Sequence, residues 1–232
     1  MALPIAGLGL RIGAKAASAV VPSGGGPRGF RINVETDIKK AAKMLKRVGE
    51  RNLPLAIAQS LTATAAHLRK VQQRTLPKYI DRPTPWTKKG IFYKRADWRD
   101  YRRGTLYASV YVDKDRADYL KFQVFGGRRL PKKRAVVVPG LKTRLNKYGN
   151  LSKKFIQTQL AKENTYIDKI NGTAGLYQRQ KSGRLKLLVL FADDANYKPN
   201  RWPFYKISKR IVARELPKQV NKAVRRALNK GR

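Results

Sequence analysis

Arg184-Leu185-Lys186-Leu187-Leu188-Val189-Leu190-Phe191 is the stretch on which the fold turns. Leu185, Leu187, Val189 and Phe191 share one face of a strand, while Leu188 and Leu190 fill part of the other. A strand apolar on both faces belongs in the interior of a sheet. Upstream, residues 166–170 and 175–180 read as short strands joined at Asn171-Gly172, a favoured hairpin turn. Residues 135–139 add another apolar strand, and Asn150 or Ser152 is placed to cap a short helix running to Leu160. Further back, residues 105–112 alternate, with Leu106, Ala108, Val110 and Val112 on one side and Tyr107, Ser109 and Tyr111 on the other. A polar turn over 113–118 then leads into residues 119–125, which read as a second strand ended by Gly126-Gly127. The simplest connection of these two is a hairpin.

Toward both ends the apolar spacing changes from two to three and four. Ile38, Ala41, Ala42, Leu45 and Val48 predict a helix beginning near Glu35. Pro54 suits the first turn of a second helix carrying Ile57, Leu61, Ala65 and Leu68, which fades at Leu76-Pro77. After Trp202-Pro203, Ile207, Ile211, Val212, Leu216, Val220, Val224 and Leu228 continue at helical spacing. Pro217 is expected to kink that helix or begin another. The predicted class is α+β: an antiparallel β-sheet flanked by long N-terminal and C-terminal amphipathic helices. Residues 1–30, rich in Gly and Ala, read as an extended, flexible N-terminal arm, and residues 31–232 as one domain.

Residues 77–103 lose periodicity and read as an ordered loop or short edge strand. A long loop with so many aromatics is expected to dock on a partner or fold back on the core. Pro83, Pro85, Trp86, Phe92 and Trp98 are accordingly candidate residues of a subunit or partner interface.

Charge narrows the functional classes. Lys and Arg number 53 against 14 Asp and Glu, a formal charge of +39 on 232 residues. A compact chain of this size exposes roughly 10,600 Å², so net charges lie about 16 Å apart, near twice the Debye length in physiological salt. The fold survives such a charge in salt but clings to polyanions when salt is low. Solubilising surfaces mix both signs, so a polyanion, foremost nucleic acid, is the expected neighbour. Arg128, Arg129, Lys132, Lys133 and Arg134 concentrate five cations in seven residues. Lys88 and Lys89 adjoin the aromatic loop, and Arg225, Arg226 and Lys230 decorate the last helix. All are candidate phosphate contacts, positioning a backbone without reading sequence.

Other chemistry is sparsely represented. With no Cys, disulfides and thiolate metal sites are excluded. His67, the one histidine, lies within a helix on or beside its apolar face and reads as a packing or surface residue. Asp113, Asp115 and Asp118 occupy a turn, where Asp serves local hydrogen bonding. Gly24-Gly25-Gly26 lacks the Lys-Ser/Thr of a phosphate loop. We therefore expect no enzyme activity, no metal and no cofactor. No run approaches the roughly 18 apolar residues of a membrane span. The apolar run near the N-terminus precedes its positive charges, the reverse of an export signal.

Both ends of the chain resemble a known family. The stretch from Val34 to Pro77, a basic amphipathic helix with Asn52-Leu53-Pro54-Leu55-Ala56-Ile57-Ala58-Gln59-Ser60-Leu61 and then an alanine-rich helix, and the closing Glu215-Leu216-Pro217-Lys218-Gln219-Val220, running into a basic helix, are similar to the minor tail protein Z, or tail completion, family of lambda-like bacteriophages. Asp81-Arg82-Pro83-Thr84-Pro85-Trp86 and Phe125-Gly126-Gly127-Arg128 resemble segments of phage structural proteins, and the likeness covers about a third of the chain. The resemblance implies a virion protein at the head-proximal end of the tail, made in the host cytoplasm. It implies a homo-oligomeric, sixfold ring around the DNA channel, touching terminator, connector or tail-tube proteins and genomic DNA, with no membrane involved. A ribosome-associated or other RNA-binding protein without sequence preference is the competing expectation, and a nuclease a third.

Overall fold

In the computed structural model, which describes residues 30–34, 53–131 and 134–230, the chain is α+β with antiparallel sheets. The expected arm, save Phe30, and the helix expected over residues 35–48 lie outside the described residues. Where the sequence reading drew one domain over 31–232, the chain divides into two compact units. One holds the residues up to Leu76, Pro85–Tyr119 and Pro203 onward; the other holds Pro77–Thr84 and Leu120–Trp202.

The first unit is built on a pair of long helices, α1 (Leu53–Thr75) and a C-terminal helix, Phe204–Lys230. Ile57, Leu61, Ala65 and Leu68 of α1 are buried at the three- and four-residue spacing that places them on one face. They meet the Phe204–Lys230 helix, whose Ile207, Ile211, Val212, Leu216 and Val220 are buried in turn. Each such Leu or Ile contributes roughly 1.5–3 kcal/mol by leaving water. Small residues let the helices approach. Ala56 and Ala58 are buried, and the buried Ser60 and Thr64 return their hydroxyls to the carbonyls of Ala56 (2.7 Å) and Ser60 (2.8 Å).

Against this pair lies a three-stranded sheet of β1 (Arg31–Val34), β2 (Ile91–Lys94) and β3 (Ala108–Val112), ordered β1-β3-β2. Ile32 and Val34, Val110, Ala108 and Val112, and Ile91 are all buried on the helix side. Opposite residues share a face. Arg31, Tyr111 and Phe92 therefore form one row of the other face, and the buried Ser109 and exposed Lys94 part of the next. Phe30, just before β1, lies edge-on to Phe204, 5.0 Å between ring centroids at 84°.

The hairpin expected from residues 105–125 is not formed. Residues 119–125 belong to the helix Lys114–Phe125, and β3 pairs instead with β1 and β2. Buried Ala117, Leu120 and Val124 follow helical spacing, which outweighs the local strand-like alternation. Gly126 stops this helix, not a strand: its φ is 70° and its N–H bonds the Phe122 carbonyl at 3.0 Å. A Cβ there would also sit 2.7 Å from the Pro199 nitrogen. The loop of residues 77–103 is more ordered than periodicity showed. It contains a short helix, α2 (Pro85–Lys89), the edge strand β2, and single 3₁₀ turns at Leu76–Lys78 and Trp98–Tyr101. The helix Lys114–Phe125 becomes α3.

The second unit carries a ribbon of β4 (Gly127–Arg129) and β9 (Ala195–Tyr197), together with a four-stranded antiparallel sheet. Its strands are β5 (Val136–Pro139), β6 (Thr165–Ile170), β7 (Thr173–Arg179) and β8 (Leu185–Ala192), ordered β5-β8-β7-β6. The stretch 184–191 thus occupies an interior position, as its two apolar faces require. Asn171 and Gly172 form the expected hairpin turn, both with positive φ (49° and 78°). Between β7 and β8 the register jumps at Leu176/Tyr177, leaving Leu188 as the extra residue of a bulge. Its carbonyl is taken up by the Gly140 N–H (2.9 Å) and the Thr143 hydroxyl (2.7 Å). The bulge brings consecutive Leu188 and Val189 both into the core with Leu176. Phe155 and Ile156 of a short helix, α4 (Phe155–Leu160), pack on them. The C-terminal helix Phe204–Lys230 completes the series as α5, and the described helix runs through Pro217 as one element.

Candidate nucleic-acid interface

The sequence of α5 sorts its charges by period. With Leu216 and Val220 turned inward, Lys218, Asn221, Lys222, Arg225 and Arg226 are exposed and line a shallow groove. Lys218, Lys222 and Arg225 stand at i, i+4 and i+7, so three cations follow one helix face over about 10 Å. Cations in the last turns of a helix also offset its negative end. Arg225 and Arg226 were expected from sequence. Lys218 and Lys222 were not, although their three- and four-residue spacing with Arg225 and Arg226 is visible in it. The side chain of Lys230 is outside the described set.

Glu215 lies at the inner edge of this strip. Burial alone would push its carboxyl up. The charge of Lys218, hydrogen bonds from Arg214 (3.0 Å) and Lys218 (3.4 Å), and the nearby His67 more than offset that, so it is held below the ordinary carboxylate value. His67 itself is half-buried, with a buried Nε2 that meets no hydrogen-bond partner. It has the surroundings of a packing residue.

Around α2, Lys88 and Lys89 are exposed in the last turn. Beside them Trp86, 49% exposed, stacks on Tyr119 with centroids 6.2 Å apart, and the Arg116 guanidinium lies 3.9 Å over its ring. Arg116 also donates to the Trp86 carbonyl (3.0 Å) and pairs with Asp113. Asp113 is thus committed to a local ion pair. Burial pushes the Tyr119 phenol up, while its hydrogen bond with Thr87 (3.0 Å) and the charge of Arg116 pull it partly back.

The five aromatic-loop residues separate. Pro85, Trp86, Phe92 and Trp98 are exposed in the first unit. Pro83 is buried, so it serves the packing of the chain and is removed as an interface residue. In the second unit, Arg128 and Arg129 lie on β4 opposite Asn196 and Ala195, and Arg134 is exposed beyond it; Lys132 and Lys133 lie outside the described residues. Arg128 is bonded to Asp194 at 2.5 Å, a pairing that no local pattern in the chain foretells. The candidate phosphate contacts are therefore divided between the two units: Lys88, Lys89, Arg225 and Arg226 in one, Arg128, Arg129 and Arg134 in the other.

Among the described residues, no group of three or more His, Asp or Glu is placed to hold a metal ion. No described helix is long and apolar enough to cross a membrane. A search for relatives finds none: no protein-family model, no curated protein and no solved structure matches the chain.

Proposed function

We propose that this chain is a virion structural protein of a tailed bacteriophage. It acts at the head-proximal end of the tail as a ring of copies around the DNA channel, with its basic surface against DNA phosphates or acidic neighbours. The observation that carries the nucleic-acid part is the excess of 39 cations over the chain, four of which, Lys218, Lys222, Arg225 and Arg226, line an exposed strip on α5. Fourteen carboxylates cannot neutralise 53 basic groups, and several are spent on local pairs such as Asp113–Arg116 and Asp194–Arg128. A ring concentrates the remaining charge, which only a polyanion at its centre or rim relieves. The tail assignment rests on the resemblance of the two ends to tail completion proteins. The role is structural, without chemistry on the DNA.

Light scattering of the purified chain in moderate salt, with and without nucleic acid, tests this directly. Ring-sized particles without nucleic acid are expected, with duplex DNA retained in a salt-dependent manner. If 6–10 phosphates are engaged, affinity falls roughly 10³–10⁵-fold between 50 and 200 mM salt. A monomer that binds structured RNA far better than duplex DNA would replace the tail reading with the RNA-binding one. Cleavage of labelled DNA or RNA in Mg²⁺ would replace both with a nuclease.

A further inference from the structure

The sheet of the first unit has one saturated face and one unusual face. The saturated face buries Ile32, Val34, Ala108, Val110 and Ile91 against the helices. On the other, Arg31, Tyr111 and Phe92 stand side by side across three strands, and Lys94 follows Phe92 on its own face. Phe92 and Tyr111 are stacked, with centroids 6.0 Å apart and planes at 28°. Phe92 is 39% exposed although it is large and apolar.

We propose that this face is a stacking platform for unpaired bases of a nucleic-acid strand, the ring pair taking a base and Arg31 and Lys94 taking the flanking phosphates. The proposal rests on the nucleic-acid reading above and adds to it a preference for exposed bases. Three physical points select this occupant. A ring pair held on a sheet offers a π-face that every base fits, with little conformational entropy to lose. The row is about 10 Å wide across three strands and ends in a cation, which suits a base with its own phosphate. A second copy of the chain laid on the same face would set Arg31 and Lys94 against their own kind, and like charges at an interface repel. An anionic partner with flat rings satisfies both features.

The test compares three probes on the full chain in 200 mM salt: a labelled 20-nucleotide oligo-dT, blunt duplex DNA, and inorganic polyphosphate of matching charge. The wild type is expected to hold oligo-dT at least tenfold more tightly than polyphosphate. Phe92→Leu, which keeps an apolar side chain without a ring, should weaken oligo-dT by about 5- to 100-fold and leave polyphosphate unchanged. Phe92→Trp should keep the grip and place an indole whose emission oligo-dT quenches, a readout that does not depend on the first variant folding. Equal retention of all three probes by the wild type overturns the platform and leaves the electrostatic reading standing. So does an unchanged oligo-dT affinity in Phe92→Leu, an unquenched indole, or a Phe92→Leu effect on particle mass instead of binding. Retention of no probe at all defeats the nucleic-acid reading itself, and the platform with it.

Discussion

Gln72 is fully buried in α1, and its amide nitrogen is shared between the Phe204 carbonyl (2.9 Å) and the Ser208 hydroxyl (2.8 Å) of α5. Its Oε1 is buried and meets no hydrogen-bond partner. Gln72→Glu would bury a carboxylate against the Phe204 carbonyl, with only the Ser208 hydroxyl able to donate to it, costing about 3 kcal/mol at neutral pH by urea unfolding. Burial raises the folded pKa of that introduced acid above its unfolded value near 4.3. The variant should therefore be most stable below about pH 4.3 and lose stability as pH rises through the raised value, after subtraction of the wild-type profile. A second residue-scale dependence involves Gly90, where an added Cβ would collide with Arg116, its Cγ only 2.8 Å away. Arg116 cannot yield without leaving the Trp86 ring, the Trp86 carbonyl and Asp113. Gly90→Ala should lower stability by roughly 1–3 kcal/mol. In an Arg116→Ala background the same change should cost clearly less, and strict additivity of the two would disprove the coupling.

At the scale of elements, Pro217 lies inside α5, where it removes one helical hydrogen bond and crowds the carbonyl four residues back. Pro217→Ala should raise the thermal midpoint, by the equivalent of about 2 kcal/mol once the stiffening of the unfolded chain by proline is deducted. The elements also show what could be read from the sequence. α1, α5 and the interior strand β8 were legible because a long apolar period, or apolar residues on both faces, leaves one physical solution. Residues 119–125 were not, because the window held too few turns to separate helix from strand. The deciding signal was Ala117, Leu120 and Val124 together, and the first of them lies in what resembled a polar turn. β1 is four residues long and follows a Gly-rich segment, so Ile32 and Val34 show their alternation only once β3 is beside them. The basic strip was half legible: Arg225 and Arg226 stood out as a pair, whereas Lys218 and Lys222 needed the helix to bring them into line. That Asp194 engages Arg128 follows from tertiary placement across 66 residues of chain, beyond any local pattern.

For the whole molecule, electrostatics separates cations by what they already hold. Arg128 spends its charge on Asp194, while Arg225 and Arg226 face solvent on α5. Replacing Arg225 and Arg226 together by Ala should reduce the slope of log affinity for duplex DNA against log salt by about two. Arg128→Ala should change it by less than one, since Asp194 already screens that side chain. Equal effects from the two sites would show that all basic residues act through net charge alone. The first unit closes only when α5 reaches α1, and those helices come from opposite ends of the described chain, with the whole second unit threaded between them. Vectorial synthesis therefore meets an awkward order: residues 120–202 leave the ribosome able to fold while α1 still waits with Ile57, Leu61 and Leu68 uncovered. A nascent chain stalled before Phe204 should recruit chaperones and be cut readily by protease within α1, and release of the last 29 residues should end both at once.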